Sequence, residues 1–382
     1  MIREFQISID ESSISDLKNR LTNTRLFENV KDADWSEGVP VYELRELISY
    51  WHNNYDWRAQ EARLNHLPQY ICTLDCGQEI HFIHIKGRGN ACQPLLITHG
   101  WPGSFIEMEA IIPLLTDPAA HGADGLDAFD VIVPSLPGYG FSPAPAKSGT
   151  GLYEIAGMLA ELMEKLGYNR FFAQGGDWGA HVTSWLARRF PERVKAIHLN
   201  FLPGSYEPYT GSDAPVTSEE QTFLERQEEW YNREGGYDLI QATRPATLAY
   251  GLNDSPAGLA AWIYEKLHLW SDWKRSYGGT LNRDSILTNI SIYWFTGSIY
   301  SSVRLYLESE KRPLSLGKNE RITPPAGMVL LPAEMPMPPR SWVERGYNLV
   351  YWSNLQAGGH FAALEQPEQL AADIRKFFRM FR

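Results

Sequence analysis

Residues 175–179 read Gly175-Gly176-Asp177-Trp178-Gly179, and their setting constrains the chain more than any other feature. Arg170-Phe171-Phe172-Ala173-Gln174 before them has the short apolar character of a buried parallel strand, and Ala180 to Phe190 after them reads as a helix closed by Pro191. A strand that turns sharply into a helix presents the central residue of the turn on a strained backbone, and flanking glycines permit the turn because a Cβ would clash there. Serine at such an apex attacks acyl groups. Aspartate instead attacks sp³ carbon and forms an alkyl ester, so the candidate substrates are electrophiles such as epoxides or alkyl halides. The plainer reading is a glycine-rich turn whose aspartate caps the next helix.

Two further segments favour the catalytic reading. Pro94-Leu95-Leu96-Ile97-Thr98 is a compact apolar strand ending in His99-Gly100-Trp101-Pro102-Gly103. That run resembles the loop supplying half of an oxyanion hole in α/β-hydrolases, so the backbone N–H groups of Trp101 and Trp178 would converge on one oxygen. Near the C-terminal end, Asn348 to Ser353 reads as another strand leading into Gly358-Gly359-His360-Phe361, ahead of a helix from Pro367 to Phe378. One loop histidine is usually an ordinary surface residue, but three loops in this chain order place His360 to reach Asp177. An acid that orients the imidazole should follow a strand between the two. Gly327 to Leu331 is that strand, and Glu334 follows it in Pro332-Ala333-Glu334. Glu207, beyond the strand Val194 to Leu199, is the rival acid, and Glu334 is preferred.

On these residues the chain resembles the epoxide hydrolases of the α/β-hydrolase fold, in the microsomal-type branch that carries an N-terminal domain. The same resemblance extends through Leu252-Asn253-Asp254-Ser255-Pro256, through Leu287-Thr288-Asn289 to Thr296-Gly297, and through Gly358-Gly359-His360-Phe361-Ala362-Ala363. It implies roles that pattern alone does not reveal. Two cap tyrosines, matching Tyr237 and Tyr306, would donate to the epoxide oxygen, since a phenol titrating near pH 10 remains a donor at neutral pH. Asp177 would open the ring to a hydroxyalkyl ester. His360, held by Glu334, would then activate water against the ester carbonyl, with Trp101 and Trp178 supporting the oxyanion. The expected partners are a small hydrophobic epoxide and water, without cofactor or metal. A haloalkane dehalogenase using the same aspartate, or a non-catalytic binding protein of this fold, are the alternatives.

Composition narrows the class further. A chain of 382 residues with 43% hydrophobic content can bury a large core. A net charge of −11 disfavours nucleic acid and anionic membrane surfaces as partners. Met1-Ile2-Arg3-Glu4-Phe5 has no apolar signal character, and no stretch approaches a membrane span, so a cytoplasmic enzyme without a membrane anchor is expected, with a homodimer left open. Cys72, Cys76 and Cys92 form no disulfide framework. Cys72 and Cys76 have zinc-ligand spacing, with His81 and His84 nearby. Yet Tyr70 to Ile85 reads as a hairpin turning near Cys76-Gly77, which puts the two histidines on opposite faces of one strand.

The expected fold is α/β: a mostly parallel central sheet flanked by helices, with an inserted helical cap and an N-terminal extension. Residues 1–90, with helices from Ile14 to Leu26 and from Tyr42 to Tyr55 ahead of the hairpin, form the N-terminal part. Residues 91–203, with a strand at Ala128 to Val133 and a helix at Leu152 to Leu166, form the first part of the core. Residues 204–320 form the cap and 321–382 the rest of the core. Trp262, Trp270, Trp273, Tyr293, Trp294 and Phe295 make the cap aromatic, serving either a pocket or the cap-to-core contact.

Overall fold

The computed structural model describes residues 1–28, 33–89 and 92–382, so the expected junction at residues 90 and 91 lies outside the described residues. Eleven strands are described. They are β1 (Ile2–Phe5), β2 (Gln69–Thr73), β3 (Glu79–Ile85), β4 (Gln93–Thr98), β5 (Phe129–Pro134), β6 (Phe171–Gly175), β7 (Val194–Leu199), β8 (Tyr206–Glu207), β9 (Leu314–Ser315), β10 (Ile322–Leu330) and β11 (Tyr347–Asn354). Nine of them form one sheet in the order β1-β2-β3-β5-β4-β6-β7-β10-β11, and β8 with β9 forms a small parallel pair apart from it. From β5 to β11 every pairing is parallel, whereas β1, β2 and β3 join antiparallel at one edge.

The parallel part explains its own sequence. Helices Leu152–Lys165, Asp177–Arg189 and Pro367–Phe378 accompany it, and β5 and β6 are buried at every residue. Strands covered on both faces read as continuous apolar runs, which is how they stand in the sequence. Several boundaries differ from expectation. The helix after β6 begins at Asp177, three residues before Ala180, because the glycine-rich run continues directly into its first turn. Strand β10 begins at Ile322, ahead of the expected Gly327, because Pro324 and Pro325 read as breakers; the sheet accommodates them through a register shift against β11 between Ile322 and Pro325. The hairpin of β2 and β3 closes as expected, with Gly77 at φ +86°. His81 on β3 meets Ser135 and Gln69, while His84 meets Tyr168.

This topology puts the site at a switch point. From β4 the chain crosses to β5 on one side, and from β6 to β7 on the other. The loops leaving the carboxyl ends of these neighbouring strands therefore open a crevice between them. Seven helices fall between Ser218 and Ser309, and those carrying Tyr237, Asn289 and Tyr306 meet the loops at that end of the sheet. The N-terminal helices grip one of these, Arg283–Thr296: Tyr50 donates to Asp284 at 2.9 Å, Tyr55 to Thr288 at 3.0 Å and the Trp51 indole to Ser291 at 3.1 Å. No helix among the described residues is long and apolar enough to cross a membrane.

Gly179 shows how tightly the two central loops are pressed together. A Cβ there would overlap the carbonyl of Thr98, and backbone cannot yield as a flexible side chain does. Gly179→Ala should therefore destabilise the protein by about 1–3 kcal/mol or more, as over-packing does. Gly251, inside helix Pro245–Asp254, has open space where its Cβ would be, so Gly251→Ala should stabilise by about 1 kcal/mol from helix propensity. Urea unfolding of both variants checks the pair, and equal effects would contradict this packing.

Candidate active site

Asp177 is the first residue of helix Asp177–Arg189 and has φ +48°, a left-handed backbone that few non-glycine residues adopt. Such strain persists where the surroundings dictate it. Here β6 and β4 dictate it by placing the elbow against Gly100, where a Cβ would overlap the Asp177 carboxylate. Loop and elbow are then joined by a hydrogen bond: the Trp101 amide donates to Asp177 Oδ1 at 2.7 Å.

The other oxygen of Asp177, Oδ2, lies 3.1 Å from His360 Nε2, and His360 Nδ1 lies 2.7 Å from Glu334 Oε1. Glu334 and His360 come together because the loops after β10 and β11 are stitched beyond the strands. Ala333 bridges Gly359, and the Ala333 amide donates to the Gly358 carbonyl at 3.1 Å. Both side chains are buried, with His360 at 1% and Glu334 at 0% exposure. Glu207, the rival acid, is exposed on β8 and accepts from the Ser315 hydroxyl at 2.5 Å.

Charge follows from this geometry. Burial works against a protonated His360, yet Glu334 and Asp177 on either side hold its pKa well above the ordinary imidazole value. For Asp177, burial opposes ionisation. The His360 contact and the Trp101 and Trp178 backbone N–H groups outweigh burial and keep its pKa below the usual carboxylate value. A position in the first turn of a helix favours the same charge.

Both cap tyrosines rest on the two tryptophans that flank these amides. Tyr237, on helix Gly236–Thr243, lies parallel to the Trp101 ring at 5.5 Å between centroids. Tyr306, on helix Ile299–Ser309, meets Trp178 edge-on at 4.5 Å and Trp101 at 5.7 Å. The two phenol rings are 6.0 Å apart. Burial first, and neighbours that include the Asp177 charge, hold both pKa values well above the ordinary phenol, so both remain donors at neutral pH.

The cap aromatics divide between two uses. Trp270 packs against His360 at 5.3 Å and Tyr237 at 5.0 Å, and the His360 amide donates to its carbonyl at 2.8 Å. The Tyr293 hydroxyl donates to the Gly103 carbonyl at 2.7 Å, which braces the loop carrying the Trp101 amide. Phe295 and Trp294 instead meet Trp57 and Arg20 of the N-terminal helices. Trp273 stacks on Tyr277, and the Trp262 indole donates to Gln241.

Sequence reasoning missed two carboxyl groups. Glu365 accepts from the amides of Gly359 and Phe361, on either side of His360, and from the Asp272 amide and Ser276 hydroxyl of the cap. Burial pushes its pKa up to about 7. The available signal was a glutamate one short helix beyond a glycine-histidine loop whose amides need acceptors. Glu107 is buried on the short helical turn Phe105–Met108, and a charge within Phe105-Ile106-Glu107-Met108 was its signal.

The fold and the aspartate-centred elbow define an α/β-hydrolase with a carboxylate where serine is commonly found. Residues 2–108 match the family Epoxide hydrolase N terminus, and residues 93–234 match the alpha/beta hydrolase fold family. Epoxide hydrolase 1 of Oryctolagus cuniculus is 40% identical over 402 residues, covering 98% of this chain and 88% of that protein. The structure of Aspergillus niger epoxide hydrolase superposes with a TM-score of 0.86 at 31% identity, covering 100% of this chain and 97% of the other. Juvenile hormone epoxide hydrolase from the silkworm Bombyx mori gives 0.87 at 30% identity, covering 100% and 95%. The chain belongs to the epoxide hydrolase family.

The charge balance at His360 makes a direct prediction. Glu334→Gln removes a negative charge in contact with the imidazole, so the proton should leave His360 at lower pH than in the parent. NMR titration of the His360 ring should show its midpoint displaced downward. A midpoint that stays or rises would mean that Glu334 does not sustain the imidazolium.

Proposed function

We propose that the protein converts hydrophobic epoxides to vicinal diols through a covalent ester on Asp177. The observation that carries this reading is the division of labour between the Asp177 oxygens: Oδ1 accepts from the Trp101 amide at 2.7 Å, and Oδ2 is left beside His360 at 3.1 Å. Oδ2 attacks an epoxide carbon from behind, opposite the C–O bond that breaks, while Tyr237 and Tyr306 donate to the ring oxygen. Oδ1 becomes the ester carbonyl oxygen, with the Trp101 amide as its first donor. Alkylation neutralises Asp177 and so removes one of the two charges holding the proton on His360. The imidazole becomes a base once the ester needs water, and Glu334 stabilises the imidazolium that forms.

The aromatic surroundings of Asp177, with Trp101, Trp178 and Trp270 packed around the phenols, favour apolar epoxides such as aryl or long-chain alkyl oxiranes. The same reading assigns residues 1–90 to the N-terminal unit, 91–203 and 321–382 to the core and 204–320 to the cap. The Epoxide hydrolase N terminus match through residue 108 and the helical run Ser218 to Ser309 support this division. A cytoplasmic enzyme needing neither metal nor cofactor is part of the proposal.

Mixing His360→Gln protein with an epoxide should give an intact mass increased by that of the epoxide, whereas Asp177→Asn should give none. Tyr237→Phe and Tyr306→Phe should each slow ring opening by on the order of 10²-fold, the scale of a lost oxyanion donor. Unmodified His360→Gln protein with every epoxide of an aryl and alkyl panel would overturn the covalent reading. A double tyrosine variant that forms the ester at the parent rate would overturn the tyrosine roles.

A further inference from the structure

Against Asp177 is a small cavity of about 20 Å³ lined by His99, Glu107, Gln174, Asp177, Asn200 and His360, among others. No residue of the cap helices lines it. A water needs about 10–15 Å³ of space open to its centre, together with polar partners, so the cavity has the size and chemistry to hold about one. Most of its polar side chains are already engaged. Gln174 donates to Asn200 at 2.7 Å. His99 is used at both ring nitrogens, by the Gly100 carbonyl and the Leu136 amide. Glu107 Oε1 is buried without a hydrogen-bond partner.

We propose that Glu107 holds the hydrolytic water in this cavity, with Oε1 bonded to one hydrogen while His360 Nε2 takes the other. The proposal rests on the covalent ester on Asp177. In the step it serves, the water oxygen bonds to Cγ of Asp177 as its proton passes to His360. The tetrahedral oxyanion is held at Oδ1. The Cγ–Oδ2 bond then breaks, and Oδ2 leaves with the diol, taking the proton from His360. The tyrosines stand on helices that do not line this cavity, so the epoxide and the water do not compete for one space. Burial, and then the Asp177 charge, push the Glu107 pKa up to about 8. A neutral carboxyl can therefore stand beside the ionised nucleophile without a second buried charge.

The test separates the two chemical steps by rapid mixing with an epoxide and intact-mass detection. Glu107→Leu removes the acceptor at similar volume and should form the ester at the parent rate but hydrolyse it ~10²-fold more slowly, the scale of a misplaced reactant. Glu107→Gln, which keeps an acceptor oxygen, should recover most of the hydrolysis rate. Should the leucine variant not fold, Glu107→Asp withdraws the carboxyl by one methylene and should show the same step-specific slowing. Ester hydrolysis at the parent rate in Glu107→Leu or Glu107→Asp, or equal slowing of both steps, would overturn the role of Glu107. Absence of any ester in His360→Gln would overturn the covalent reading itself, so the two failures are distinguishable.

Discussion

One imidazole lies between two carboxylates in a place nearly closed to water, and much of the structure serves to make that arrangement tolerable. Burying ionised groups is expensive unless they are paired and hydrogen-bonded. The Asp177–His360–Glu334 row meets the requirement with contacts of 3.1 and 2.7 Å, and the Trp101 amide satisfies the remaining oxygen of the aspartate. Removing His360 would leave both carboxyl groups without the cation that pairs them. In the proposed reaction the same balance shifts on esterification of Asp177, which would let a strongly basic imidazole give up its proton for the second step.

The support for that row runs outward through identifiable contacts. The Asn289 amide donates to the Pro102 carbonyl at 2.7 Å, and Tyr293 donates to Gly103, so cap helix Arg283–Thr296 fixes the loop carrying the Trp101 amide. That helix is in turn held by Tyr50, Tyr55 and Trp51 of the N-terminal helices. On the other side, Glu365 ties the His360 loop to Asp272 and Ser276 of the cap. The N-terminal helices thus act on the site at one remove, through the cap, while β1, β2 and β3 extend the central sheet.

Much of this was legible in the sequence where local chemistry dictates structure. Glycines at a strand-to-helix turn, a histidine after paired glycines and an acid after an apolar strand each mark a loop at the carboxyl end of a parallel strand, and the sheet order brings those loops together. Strand β1 escaped notice because three exposed residues and one half-buried residue at an antiparallel edge have no strong apolar signature. The first half of β10 was hidden by Pro324 and Pro325. Glu107 and Glu365 were not identified because a buried carboxyl looks like any other glutamate until its neighbours are known. The tyrosine positions came from resemblance alone, since nothing local distinguishes Tyr237 or Tyr306 from the other tyrosines of the chain.

The central claim is that water attacks the ester carbonyl of Asp177, not the epoxide. A single turnover in heavy-oxygen water tests it most directly, with enzyme in excess over the epoxide and both the diol and the Asp177-containing peptide weighed afterwards. The label should enter the Asp177 carboxylate and be absent from the first diol released. Heavy oxygen in that first diol, with Asp177 unlabelled, would make the aspartate a general base and contradict the covalent mechanism.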